Sequence, residues 1–402
     1  MTRLPPSLQP LWPAAKVAHR AATRAVGRTT RSSGLGGDRA VPPTALPTSR
    51  QTRDAEPDHV RLHVSAPSET VRRPVATGGP GPLAVWEEAR LLEVPERFVL
   101  AVDHGRLIGD YAATITPGGI LDLETSPYFG IRSWREHPLY LRARLPETTH
   151  LSGTTVSLAS PASTRNYYHS LMDTLPRWAM LTTTLPDVRP HHLVVSHRNR
   201  WDAELAALVG LDRFTLVEPV KHLAVDTDTL LVPSLSNRGN LAPPWITEWL
   251  RAALPPRDVA GRPRRLYITR GSVPNTRRLV HEDELWPRLE RMGFTRFDPG
   301  SVSVQEQIDH FAAAEVVVGV HGAALANLTF APPGVRVLEM FAPRYVDPGY
   351  WSITSNIEDS TYRYLVADPV EPDRPQRRMN RVQDDVELTA DRVLGAVEEL
   401  LS

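Results

Sequence analysis

Three groups of residues combine types and spacings that could do chemistry. In the first, residues 314–330 read AEVVVGVHGAALANLTF. The valines around Gly319 form a run too short and too β-branched for a helix, so 316–320 reads as a buried parallel strand; 323–328 reads as a tightly packed helix start. Strand, glycine turn and helix aim backbone N–H groups and a helix dipole at an anion. Gly322 has no side chain, so a phosphate can approach the main chain, and His321 adds a donor whose charge responds to it. Alone, the segment also fits a plain βα turn with His321 satisfied by a neighbour. Arg270 follows directly on a second expected strand (265–269, RLYIT), with Arg277 and Arg278 close behind, and Glu339 lies near the end of a third, 335–340. If these strands run parallel, their carboxyl ends share one rim. Arginines, a histidine and a helix start then make a diphosphate site needing no metal, with Glu339 suited to a ribose hydroxyl. The alternative pairs Arg270 with Glu282 or Glu284 and leaves Glu339 as a local cap.

The second group is Asn166, His169 and Asp173, spaced to share one helix face apart from the Tyr167, Leu171, Leu175 and Trp178 stripe. Either His169 or Asp173 could take a proton from a hydroxyl, or Asp173 could orient His169 as base; a solvated face or a buried polar cluster explains the trio equally. The third, Asp226-Thr227-Asp228, has the Asp-x-Asp form of a divalent-metal clasp but reads as a turn before a strand at 230–232. The acids at 282–284 suit the first turn of a helix and lack a following histidine for zinc. No nucleophile elbow supports Ser-His-Asp hydrolysis. With no cysteine, disulfides, thiolate catalysis and Cys-ligated metals are excluded.

These residues need two α/β frames. The chain has 402 residues and a formal charge of +0, enough for two domains and without a global field that selects a partner. Residues 1–82 are rich in Pro, Ser, Thr and Arg and read as a disordered basic tail. Within it Lys16, Arg20, Arg24 and Arg28 form one basic stripe if helical, which could rest against anionic lipid or an acidic partner; nucleic acid is not expected, for want of interleaved aromatics. Residues 83–242 run through strands at 97–103, 106–111, 120–123 and 154–158, a helix at 166–184 kinked by Pro176, then strand, helix, strand, strand to 232. Residues 243–402 open on a helix (243–254) and restart the alternation, closing on a helix at 388–401. The expected fold is two doubly wound α/β domains with a cleft between them, ligands sitting outside the strands' carboxyl ends. No apolar stretch is long enough to span a bilayer and no signal peptide opens the chain, so the expectation is a soluble cytoplasmic protein.

The blocks NYYHSLMDTLPRWAML, RRLYITRGSVPNTRRLVHEDELWPRLERMGF and SVQEQIDHFAAAEVVVGVHGAALANLTFAPPGVRVLEMFAP, in that order and spacing, resemble glycosyltransferase family 61. That family includes plant xylosyl- and arabinosyltransferases, animal O-linked N-acetylglucosaminyltransferases and bacterial capsular-polysaccharide proteins. The resemblance spans roughly residues 83–343. It implies a GT-B fold of two Rossmann-like domains, inversion at the anomeric carbon, and no metal or other cofactor. It also implies a nucleotide-sugar donor such as a UDP-sugar, held by Arg270, Arg278, His321, Gly322, Ala323 and Asn327. Asn166, His169 and Asp173 would face a glycan or lipid-linked acceptor. Eukaryotic members carry a membrane anchor that is not seen here, which sets a Golgi-type setting aside. The expectation is a hexosyl- or pentosyltransferase of bacterial surface polysaccharide synthesis. The alternatives are a non-catalytic sugar-nucleotide or glycan-binding protein of an assembly complex, or a GT-B-type epimerase.

Overall fold

The valine run does form a buried strand. In the computed structural model, Val316–Val320 is buried at every position. The structure describes residues 11–32, 39–81, 83–128, 130–142, 144–270, 277–368 and 384–402. The chain divides into two units. The first takes in Met1–Pro67, Glu96–Ala206 and Gly210–Leu235; the second takes in Ser68–Pro95, Ala207–Val209 and Ser236–Ser402.

In the second unit, six strands among the described residues form one parallel sheet, in the order Thr295–Phe297, Arg265–Ile268, Val316–Val320, Arg336–Phe341, Thr361–Val366 and Thr77–Gly79. The chain steps from 265–268 outward to 295–297, then returns to pair 316–320 on the opposite side of 265–268. That reversal is a topological switch point, where the chain leaves two neighbouring strands in opposite directions and opens a crevice at their carboxyl ends. Ile268 pairs with Gly319, so Arg270 and His321 emerge side by side there. Strand alternation sends Val316, Val318 and Val320 to one face, against Leu285 and Leu289 of Glu282–Arg291 and Val397 of Ala390–Leu401. Glu339 and Phe341 point to the other face. There Trp86, from Ala84–Ala89, lies with its ring centre 4.9–6.2 Å from the rings of Tyr364, Trp351, Tyr362 and Phe341.

The first unit departs from the doubly wound expectation. Its ten-stranded sheet, among the described residues, is mixed. Ala224–Pro233 pairs parallel with Thr149–Ser157 but antiparallel with Arg97–Asp103 and Arg106–Ile108. Only His192–Val194 and Thr215–Val217 continue the parallel half beyond 149–157.

The expected disordered tail is also corrected. Residues 11–32 and 39–81 are built into structure: Thr44–Leu46 pairs with Ile120–Asp122, Val60–Ala66 with Arg97–Asp103, and Thr77–Gly79 with Thr361–Val366. Thr44–Leu46 and Thr77–Gly79 are too short to show a period, whereas Val60–Ala66 (VRLHVSA) does alternate apolar and polar residues but sits in a Pro-, Ser- and Arg-rich stretch. At Gly78 a Cβ would sit 2.1 Å from the Tyr364 carbonyl oxygen, which explains a glycine in that edge strand. Consequently residues 68–95 belong to the second unit, not the first, and the boundary expected at 82/83 does not hold. A strand (Thr361–Val366) and a helix (Gly349–Thr354) occupy what reads as a polar loop. Among the described residues no helix is long and apolar enough to cross a membrane.

Candidate functional site

At the switch point the strand Arg265–Ile268 ends and Arg270 turns over the neighbouring strand's exit, its Nη1 donating to the His321 carbonyl at 3.3 Å. Arg270 does not pair with Glu282 or Glu284. Glu282 instead accepts from Thr269 at 2.9 Å and from Arg296. Arg277 lies over the Tyr345 ring, 5.5 Å from its centre. Among the described residues neither Arg270 nor Arg277 has a carboxylate in ion-pair range, and the buried Nε of Arg270 has no acceptor. Burial, and then the Arg277 charge, lower Arg270 from its ordinary value. Two like charges held together beside an orphaned donor are costly unless an anion completes them.

Gly322 is extended (φ 179°), a backbone open to any residue, so its glycine is a matter of space: a Cβ there would lie 1.9 Å from Arg270 Nη1. Beyond it Ala323–Phe330 is a 3-10 helix, not the expected α-helix over 323–328. Its opening leaves the N–H groups of Gly322, Ala323 and Ala324 with no protein acceptor among the described residues, as helix starts do.

His321 is buried, its ring centre 4.9–5.3 Å from those of Phe341, Tyr345 and Tyr350. Its Nδ1 is 2.5 Å from Glu339 Oε1, and the Tyr362 hydroxyl donates to Glu339 Oε2 at 2.5 Å. Burial, then the charges of Arg277 and Arg270, hold His321 well below the usual imidazole range. Burial pushes Glu339 well above the usual carboxylate range, against the hydrogen bond from Tyr362. Both shifts favour neutral groups, and in the neutral pair a Glu339 carboxyl donating to Nδ1 makes Nε2 the ring's N–H donor. Three sequence expectations change here. Glu339 is fully buried with both oxygens engaged, so it backs His321 and cannot reach a ribose hydroxyl. Asn327 is also fully buried, and its amide donates to Gln307 Oε1 at 2.9 Å and to the Ala324 carbonyl at 3.0 Å, tying helix to helix. Arg278 is exposed and uses its backbone N–H on Asp385 at 2.8 Å; Arg277 is the neighbour that joins the cluster. Arg277, Tyr345 and Tyr350 could be suspected from sequence only by proximity. Tyr362 could not, because its strand went unread.

In the first unit, Asn166 caps the helix Tyr167–His169 by accepting from the Tyr168 N–H at 3.0 Å. A π-helical turn, Ser170–Thr174, follows, and then the helix Leu175–Thr184. Pro176 sits in the first turn of that last helix and does not kink its interior. Proline has no N–H to give and clashes with the preceding turn, and the wider π turn accommodates both. Two of the polar trio are not on an open face: residues 167–181 are buried throughout, Asp173 at 2% exposure and His169 at 9%, while Asn166 is half-buried. His169 Nδ1 is 2.7 Å from Asp173 Oδ2. Beneath them Arg177 is fully buried and lowered to about 10 by burial, against the opposing charge of Asp173. Asp202, unread from sequence, pins the π turn by accepting from Ser170 at 2.5 Å, Ser196 at 2.9 Å and Asn199 at 2.7 Å.

Asp226-Thr227-Asp228 lies in a strand, not a turn. Alternation puts both carboxylates on one face, where His150 Nδ1 is 2.7 Å from Asp226 and Nε2 is 3.4 Å from Asp228. Among the described residues no group of three or more His, Asp or Glu is placed to hold a metal ion.

No curated protein matches the chain. One solved structure, a dodecameric iron-containing heptosyltransferase TibC in complex with ADP-D-beta-D-heptose, is similar at 10% identity over 85% of this chain and 90% of that one. Its TM-score of 0.32 is too low to carry an argument. The model of the family described as glycosyltransferase 61 matches residues 167–338, a segment holding His169, Asp173, Arg270, Arg277 and the His321-Gly322 turn but stopping one residue short of Glu339. Over residues 167–338 the chain is therefore placed with glycosyltransferase family 61.

Proposed function

We propose that the chain is an inverting, metal-independent glycosyltransferase that takes its sugar from a nucleotide-diphosphate donor. On this reading it follows the GT-B plan, with the donor on the second unit and the acceptor on the first. The observation that carries the donor site is the pairing of Arg270 and Arg277 without a carboxylate, beside the open N–H groups of 322–324. A diphosphate supplies what that cluster lacks: acceptors for the orphaned Nε and the backbone donors, and negative charge between two guanidinium groups. In the transfer, an acceptor hydroxyl attacks the anomeric carbon from the face opposite the diphosphate. The bond from that carbon to the diphosphate breaks, and its electron pair leaves on the phosphate oxygen. The arginines stabilise that developing charge in the place a metal would otherwise take. The acceptor's proton passes to His169, held by Asp173 through Nδ1.

A second reading, sugar-nucleotide binding without transfer, draws support from the burial of His169 and Asp173. Incubation with a panel of nucleotide sugars and candidate acceptors in EDTA tests the first reading through release of nucleoside diphosphate. Asp173→Asn should lower turnover about 10²- to 10⁴-fold while leaving donor affinity unchanged. Donor binding with no turnover for any acceptor, in wild type and variant alike, supports the second.

A further inference from the structure

Glu339 and His321 are a buried titratable pair that the transfer as written leaves unused. Glu339 is fully buried, and the His321 side chain is 7% exposed. His321 Nδ1 lies 2.5 Å from Glu339 Oε1, so a proton between them changes owner with little movement of either heavy atom. Glu339 Oε2 accepts from the Tyr362 hydroxyl at 2.5 Å, a hydrogen bond that favours a carboxylate. Phe341, Tyr345 and Tyr350 enclose the ring, and among the described residues Nε2 has no protein partner. The charges that reach the pair are those of Arg270 and Arg277 on the ring, and of Asp347 and Arg277 on the carboxyl. Burial raises Tyr345, Tyr350 and Tyr362, so the three phenols stay protonated. With no anion present, two guanidinium groups oppose a third positive charge on the imidazole, and the proton rests on Glu339. A diphosphate held by the arginines cancels that opposition and offers Nε2 an anionic acceptor.

We infer that donor binding draws this proton across the pair: it leaves Glu339 Oε1 and joins His321 Nδ1, so that an imidazolium donates to the diphosphate through Nε2. Tyr362 stabilises the carboxylate left behind. The protein's proton count is unchanged, and nothing is taken from solvent. Glu339 is then a positioning residue, supplying charge to a group at the phosphates instead of the ribose contact expected of it. The relay rests on the donor-site reading and goes beyond it in where the proton sits.

Infrared difference spectroscopy of the full chain in EDTA reads the step directly, with inorganic pyrophosphate as the probe because it carries no carbonyl. A carboxylic-acid C=O band should be present in the free protein, lost on binding, and absent from Glu339→Gln in both states. Tyr362→Phe, which keeps the ring, should shift the same band because Oε2 loses its donor, and so assigns it even if Glu339→Gln fails to fold. In calorimetric titration, Glu339→Gln should bind pyrophosphate about tenfold or more weakly than wild type. Its imidazole must draw a proton from solvent, so that gap should narrow as pH falls. A band that persists with pyrophosphate bound, or a gap that does not change with pH, overturns the relay while the two-arginine site stands. Failure of pyrophosphate and nucleoside diphosphates to bind at all removes the donor site, and the relay with it.

Discussion

Replacing Gly322 with alanine tests the phosphate turn at one atom. The backbone there is extended, so alanine brings no conformational penalty of its own. The new methyl would begin 1.9 Å from Arg270 Nη1, and ordinary contact starts at 3.4 Å, so the guanidinium must retreat by about 1.5 Å. That displacement exceeds the tolerance of a hydrogen bond and separates Arg270 from the His321 carbonyl. Losing one charge-assisted contact to a diphosphate costs about 1.5–3 kcal/mol, or roughly 10- to 150-fold in affinity. Calorimetric titration with nucleoside diphosphates reads this directly. A double-mutant cycle sharpens it: with Arg270→Ala already present, Gly322→Ala should cost almost nothing, because the displaced group is gone. If Gly322→Ala binds as wild type does, or costs as much with Arg270 absent as with it present, Arg270 does not reach the phosphates from its place over this turn.

Further outcomes follow from the packing and charge around the site. Burial raises Glu339 above the ordinary carboxylate value of 4.5, so the folded state holds its proton longer than the unfolded chain does. Its contribution is complete below about 4.5 and is lost as pH rises toward the raised value, so wild-type stability relative to Glu339→Gln should decline with rising pH in urea titrations; a flat or rising difference would mean the carboxylate is ionised in place. Trp86→Ala should remove about 3–5 kcal/mol of stability, because the ring fills an aromatic nest in the second unit; limited proteolysis should then expose 265–402 before the first unit. Arg277→Ala should weaken diphosphate binding about tenfold or more, whereas Arg278→Ala should leave it within about twofold; equal effects would return Arg278 to the site.

Much of this site was legible because it rests on local signals. Valines around a glycine mark the central strand, an arginine directly after RLYIT marks its neighbour's exit, and together they place Arg270 and His321 on one rim. Local signals also mislead where side chains act at a distance. Glu339 is on the right strand, yet Tyr362, from a strand with no clear pattern, holds it behind His321. Spacing alone cannot say whether a polar face such as His169 and Asp173 is wet or buried, and residues 167–181 are buried on all sides. Asp226 and Asp228 read as a turn because aspartate favours turns, but His150 on the adjoining strand gives them a partner that makes a strand tolerable. Two of the N-terminal strands, Thr44–Leu46 and Thr77–Gly79, are three residues long and completed by partners far along the chain, while the alternation of Val60–Ala66 was masked by the polar, proline-rich composition around it.

The most direct test of the two-arginine diphosphate site compares nucleoside diphosphate with the corresponding monophosphate in EDTA, for wild type and for Arg270→Ala with Arg277→Ala. The wild-type protein should bind the diphosphate at least about tenfold more tightly, and the double variant should lose that preference while keeping its fold. A preference that survives in the double variant, or a wild type that binds both nucleotides alike, contradicts it.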